Sequence, residues 1–220
     1  NTQQQTFREP LILPQGYLKP QTKQTMTAHA PLFLQAFPAD CQTEAAQLLA
    51  NMQHPRSPSP TPEPDKLLLG GQTIRLIRRQ YGLTIAHRPE SLNSIQRAMF
   101  HCLHTRHYDG HIRAQHFAAL LDPGQPAFVA PFAAQLLGEY VLPIQEQVHT
   151  FFRHNRTILA AFLAENPAYW CKQQNRIRSY WHCYHCHQYP YWPSYPINRL
   201  TQEIDAEVKR HHRSFSGSLS

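Results

Sequence analysis

No run of about 20 apolar residues occurs in this 220-residue chain, so the sequence offers no membrane-spanning helix. Carboxylates are few, 14 against 21 Lys and Arg, and no compact Asp/Glu cluster suggests paired acid–base chemistry. Glycine is scarcer still, at 8 residues. The pair Gly70-Gly71 lacks the preceding strand, the further glycines and the Lys-Ser/Thr of a phosphate-cradling loop, and reads as a turn. No G-x-S-x-G nucleophile elbow is present. His107 and His111 are four apart, but Tyr108 stands where a zinc-protease helix carries its Glu. Nothing here points to an enzyme. The 5 cysteines are an odd number, whereas disulfide frameworks use even numbers in smaller secreted domains. Reduced thiols and a cytoplasmic setting are therefore expected. The opening stretch shows no basic, then apolar, then small-residue signal pattern.

What the chain has in quantity is proline, with 19 residues, alongside 41% hydrophobic residues and a mean hydropathy of −0.53. That mixture implies a core which part of the chain does not join. Asn1 to Thr27 reads as an extended arm, Ala30 to Phe37 as a docking segment, and Cys41 to Met52 as a short helix. In His54 to Pro64, alternating prolines remove donors and force extended neighbours, which predicts a stiff linker. The expected organisation is an arm over residues 1–65, a compact helical domain over 66–210 and a flexible tail over 211–220. The net charge of +7 sits in the later part: residues 1–65 hold four Lys/Arg against five Asp/Glu, leaving seventeen against nine afterwards. Such a surface suits nucleic acid, anionic lipid or an acidic protein, and equally an ordinary solvated face.

The chain is organised around Tyr108 to Phe152. Phe128, Val129, Phe132, Leu136 and Tyr140 recur at steps of three and four, and Ile144, Val148, Phe151 and Phe152 repeat the device. Asp109 is a candidate N-cap for a helix carrying Ile112, Phe117, Leu120 and Leu121, and Asp122-Pro123-Gly124 stops it. Asp109-Gly110-His111-Ile112-Arg113, followed by Ala114 to Leu121, resembles the Asp-x-x-Val-Arg-x-x-Ala-x-x-x-Leu signature of HEAT-type helical repeats. Ala127 to Phe152 resembles a degenerate next unit, with Glu139 and Ile144 in place of Asp and Val and no matching Arg. The resemblance covers residues 109–152 alone, with a spacing below the usual period of about 40 residues. It implies stacked antiparallel helix pairs that serve as scaffolds.

Elsewhere Ile74, Ile77 and Tyr81 predict a helix over Thr73 to Tyr81, and Pro89-Glu90-Ser91 opens another with Leu92, Ile95, Met99 and Leu103 on one face. Ile158, Leu159, Phe162 and Leu163 predict the helix that Asn166-Pro167 ends. Taken as one helix, Ala168 to Gln188 gathers Trp170, Ile177, Trp181 and Tyr184 into a stripe, with Cys183 and Cys186 opposite. Ile197, Leu200, Ile204 and Val208 line a last helix. The fold class expected is all-α, either an irregular helical bundle or a short HEAT-like stack.

Three constellations remain. Cys183, Cys186 and His187 fit the C-x-x-C-H pattern of c-type haem attachment, with thioethers from the thiols and an axial imidazole. The same cysteines form half a zinc site if His182, His185, His187, Cys171 or the group His101, Cys102, His104 and His107 completes it. The alternative is two cysteines packed as small apolar groups, with no cofactor. Arg176, Arg178, Trp181, Tyr184 and Trp192 mix guanidinium and aromatic groups, which suits a protein partner, and with Tyr180 and Tyr191 added the same segment suits stacked nucleic-acid bases. The expectation is a non-catalytic interaction or scaffold protein that binds a protein partner through those five residues. A metal- or haem-bearing protein and a nucleic-acid module are the alternatives.

Overall fold

The computed structural model describes residues 30–50, 52–53, 63–80, 84–85 and 91–216. The arm over Asn1 to Thr27, nearly all of the Pro-rich linker and the last four residues lie outside them. The described chain is mostly helical, an all-α fold with two short antiparallel ribbons.

Helix α5 (Ala130–Leu137) is the centre of the molecule, and every one of its residues is buried. Its sequence, APFAAQLL, is apolar all round except for Gln135, as a helix enclosed on every side must be. It packs against α6 (Leu142–His154), α7 (Arg156–Glu165) and α8 (Pro167–Tyr180). Gly138 ends α5, so Tyr140 leaves the stripe expected for it and stands 48% exposed. Helix α9 (Pro196–Ser216) lies along α7 and buries Ile197, Leu200, Ile204 and Val208. It continues to Ser216, beyond the His211 at which the tail was expected to begin.

On the other side α3 (Ser94–His104) and α4 (Gly110–Ala118) form the expected pair. Asn93 and Gln96 cap α3 reciprocally, and Asp109 accepts from His111 N at the start of α4. Helices α1 (Ala30–Leu34) and α2 (Gln42–Ala50) belong to this body rather than to an arm. Phe37 meets Phe128 edge-on at 5.4 Å and stacks on Phe132 at 5.8 Å, and Ala45, Leu48 and Leu49 are buried.

The helix expected over Thr73 to Tyr81 is absent from Thr73 to Gln80, and Tyr81 lies outside the described residues. Strands β2 (Asp65–Leu69) and β3 (Gln72–Leu76) pair as a hairpin, while β1 (Met52–Gln53) pairs with β4 (Thr84–Ile85). Alternation decides the matter: Leu67, Leu69, Ile74 and Leu76 face inward while Leu68 and Thr73 face out. Gly70 and Gly71 make the turn at φ 58° and 75°, which suits glycine and strains other residues. The hairpin is latched to the end of α7. Glu165 accepts from Gly70 N and Gly71 N at 2.8 and 3.1 Å, and Asn166 bonds Leu68 N and O at 2.9 and 2.8 Å. No helix among the described residues is long and apolar enough to cross a membrane.

Candidate binding site

Beyond Tyr180 the backbone of α8 widens into a π-turn over Trp181–His185. The extra residue per turn re-phases the stripe expected from sequence. Trp170 and Ile177 are buried, Trp181 is half-buried and Tyr184 is 60% exposed. The segment stays close to the end of α5, because His185 Nε2 donates to Tyr140 O at 2.9 Å. Tyr195 stacks on His185, and its hydroxyl donates to Gln145 Oε1 at 2.9 Å.

The five partner-binding residues named from sequence fall into two groups. Arg176 lies over the Tyr180 ring at 5.7 Å, and Tyr184 joins Tyr140 and Tyr180 with ring separations of 5.2 and 5.9 Å. Arg178 lies over Trp192 at 5.8 Å, and Trp192 meets Trp181 at 5.2 Å. The indole of Trp181 donates to Tyr189 O, so this residue fastens the 189–195 loop rather than facing outward. Cys183 is exposed, and Cys186 is half-buried with its thiol donating to His182 O at 3.0 Å, so neither is packed in the core. Among the described residues no three or more His, Cys, Asp or Glu side chains are grouped as a metal would require, and Cys183, Cys186 and His187 do not converge.

Next to Arg176 opens a cavity of about 230 Å³ that the sequence reading missed. Arg78, Arg79 and Lys172 line it with Arg176, and Gln135, Glu139 and Tyr180 complete the wall. In that wall Glu139, 3% exposed, takes two guanidinium groups. Arg79 reaches it at 3.0 and 3.1 Å and Arg113 at 3.0 Å. Arg113 also donates to His107 O and Tyr108 O, which ties the α3–α4 corner to the end of α5. Arg106 is 1% exposed and lies over Phe132, with Nε on Thr105 Oγ1. Burial pulls its pKa down to about 9, with Glu139 opposing, and it lowers Arg113 as well. At the mouth Asp65 bridges Arg78 at 2.8 Å and Lys172 at 2.7 Å. Burial works against ionisation of Asp65, but hydrogen bonds from Arg78 and Lys172 hold its pKa below the usual carboxylate range.

Gly138 is required here by close approach and not by its backbone angle. A Cβ at this position collides with Gln173 Oε1, the end of a fully buried side chain that must shift to admit it. Gly138→Ala is expected to destabilise the fold by about 1–3 kcal/mol, read as a lowered thermal midpoint. An unchanged midpoint would show that α5 and α8 can part to admit a methyl group.

A second cluster lies between α3 and α4. His104 stacks on Phe100 and His116 at 4.6 and 4.3 Å, and its Nδ1 donates to Phe100 O. His101 Nδ1 and His116 Nδ1 are 3.0 Å apart, so one is the donor and the other the acceptor. Burial pushes His104 down to about 4 and His116 to about 3, and lowers His101 and His107. These imidazoles are neutral packing groups at neutral pH.

No family model, curated protein or solved structure matches the chain. One clue to the cavity was present in the sequence. Glu139 is a lone carboxylate between Leu136-Leu137 and Val141-Leu142 in a chain poor in acids, and such a residue needs a buried cation. Arg79, Arg106 and Lys172 carry no comparable local mark.

Proposed function

We propose that this chain is a non-catalytic helical interaction protein that holds a protein partner on the arginine–tyrosine surface where α8 passes into its π-turn. The observation that carries this reading is the convergence of Tyr140, Tyr180 and Tyr184 from two separate segments beside Arg176. Tyr140 and Tyr184 remain 48% and 60% exposed. Rigid tyrosines beside an arginine make the kind of anchor that dominates protein interfaces, because they bury much area at small entropic cost. The five cysteines carry free thiols, which supports a reducing, cytoplasmic setting.

A photo-crosslinking amino acid at position 184 tests the reading in cells. The expected result is one dominant protein adduct, lost when Arg176→Ala is added and absent when the probe replaces exposed Thr150 on α6. Equal adducts from positions 184 and 150, or none from 184, would remove the surface from consideration. The basic cavity beside the tyrosines favours a second reading, a single nucleic-acid strand, and a nucleic-acid adduct at position 184 would select it.

A further inference from the structure

We infer that the cavity between α5, α8 and the segment after β3 is a binding site for a small phosphate monoester. The first argument is charge. Arg78, Arg79, Arg106, Arg113, Lys172 and Arg176 lie in or directly behind its wall. The carboxylates that face them among the described residues are Glu139, Asp65 and exposed Glu63, which leaves three cations in excess. Arg176 pairs with none of the three, and Arg106 is fully buried with its Nη1 lacking any hydrogen-bond partner. A buried guanidinium supported only by a carboxylate that two other arginines share is costly, and an anion in the adjoining cavity offsets that cost.

The second argument is an unsatisfied group. Gln135 is the single polar residue of α5, is 3% exposed and lines the cavity, yet its Oε1 has no hydrogen-bond partner. Buried amides are rarely left this way unless a ligand proton or a water completes them. A phosphate monoester fits the combination. It carries close to two negative charges at neutral pH, its oxygens match guanidinium forks, and in its monoanionic form it still holds a proton to donate. The third argument is size: about 230 Å³ is below the range of cofactor and drug-sized sites, which begins near about 300 Å³, and suits a head group. Tyr180, which also lines the cavity, adds an aromatic wall beside the organic part. The site goes beyond the partner surface, since phosphate binding and cross-linking at position 184 can fail separately.

Thermal melts and calorimetric titrations of the full chain decide the matter, with inorganic phosphate, O-phosphoserine and a single-stranded oligonucleotide as probes. Sodium chloride at matched ionic strength is the control. Phosphate and phosphoserine are expected to raise the melting temperature by about 3–5 °C over chloride once present at about ten times their Kd. Arg176→Gln should weaken both at least about tenfold while lowering the melting temperature in chloride by no more than about 4 °C, because that side chain makes no ion pair and holds only Tyr180. Gln135→Leu, which replaces an unsatisfied amide by an apolar group of similar shape, should keep its stability and also lose affinity. Identical melting in phosphate and chloride with no heat of binding would overturn the inference. So would unaltered affinity in Arg176→Gln. An oligonucleotide that binds more tightly per phosphate than phosphoserine would replace the monoester by a nucleic-acid strand.

Discussion

Glu139→Ala is expected to cost the folded state about 3–5 kcal/mol and to lower the melting temperature by roughly 10 °C. Among the described residues the carboxylate is the one buried counter-charge for Arg79 and Arg113, and the field of Glu139 also supports the fully buried Arg106. Its removal leaves these guanidinium groups in a low-dielectric wall with nothing to balance them, and stranding a charge costs more than the pair was worth. Two further variants separate that explanation from simple loss of packing. Glu139→Gln keeps the shape and removes the charge, so it should recover little. Glu139→Leu combined with Arg113→Met removes both partners and should be less damaging than Glu139→Leu alone. Urea titrations read each difference as a shift in midpoint at constant slope. A Glu139→Ala protein that melts within about 2 °C of wild type would mean that solvent reaches these charges.

Acid should weaken the fold well before its carboxylates are titrated, and the source is the histidine stack between α3 and α4. Unfolded histidine titrates near 6.5, whereas folded His104 titrates near 4 and folded His116 near 3. Below pH 6.5 the unfolded chain therefore takes up protons that the folded chain refuses. Stability present above pH 6.5 is lost as the pH falls towards 4. At about 1.36 kcal/mol per unit, His104 alone accounts for about 3 kcal/mol over that window. His116 adds a smaller share because it is partly exposed, and His101 and His107 act in the same direction. The charged groups that act on the cluster are Arg97 beside His101, and Asp109 and Arg113 beside His107. His104→Gln keeps a donor for Phe100 O and should flatten the dependence between pH 6.5 and 4. A wild-type melting temperature that holds level from pH 7 to 4.5 would contradict this account.

Spacing made the helical frame readable because each helix buries a stripe that repeats locally, as Ile144, Val148, Phe151 and Phe152 do in α6. The hairpin was misread for a physical reason. Ile74, Leu76 and Ile77 satisfy both periods, and only their partners Leu67 and Leu69 across Gly70-Gly71 select the strand. Arg176, Tyr180 and Tyr184 lie together because they are neighbours in sequence at helical spacing, whereas Tyr140, expected in the apolar stripe of α5, joins them from a separate segment. The basic half of the candidate site was not legible, since Arg79 and Glu139 meet across 60 residues and Lys172 and Asp65 across 107. Pairings of that length leave no local pattern. The π-turn escaped as well, and with it the outward turn of Tyr184.

The latch on the hairpin sets an order of events during synthesis. Gly70 and Gly71 are held by Glu165, and Leu68 by Asn166, partners that lie 94 to 98 residues further along. At about 5–20 residues per second, a ribosome delivers those partners roughly 5–20 s after the turn has emerged. The ribbon can close by itself in microseconds. It must then wait with its turn and the Leu68 edge of β2 unlatched until the end of α7 arrives. In that interval the nascent chain is at its most vulnerable to pairing with a neighbour.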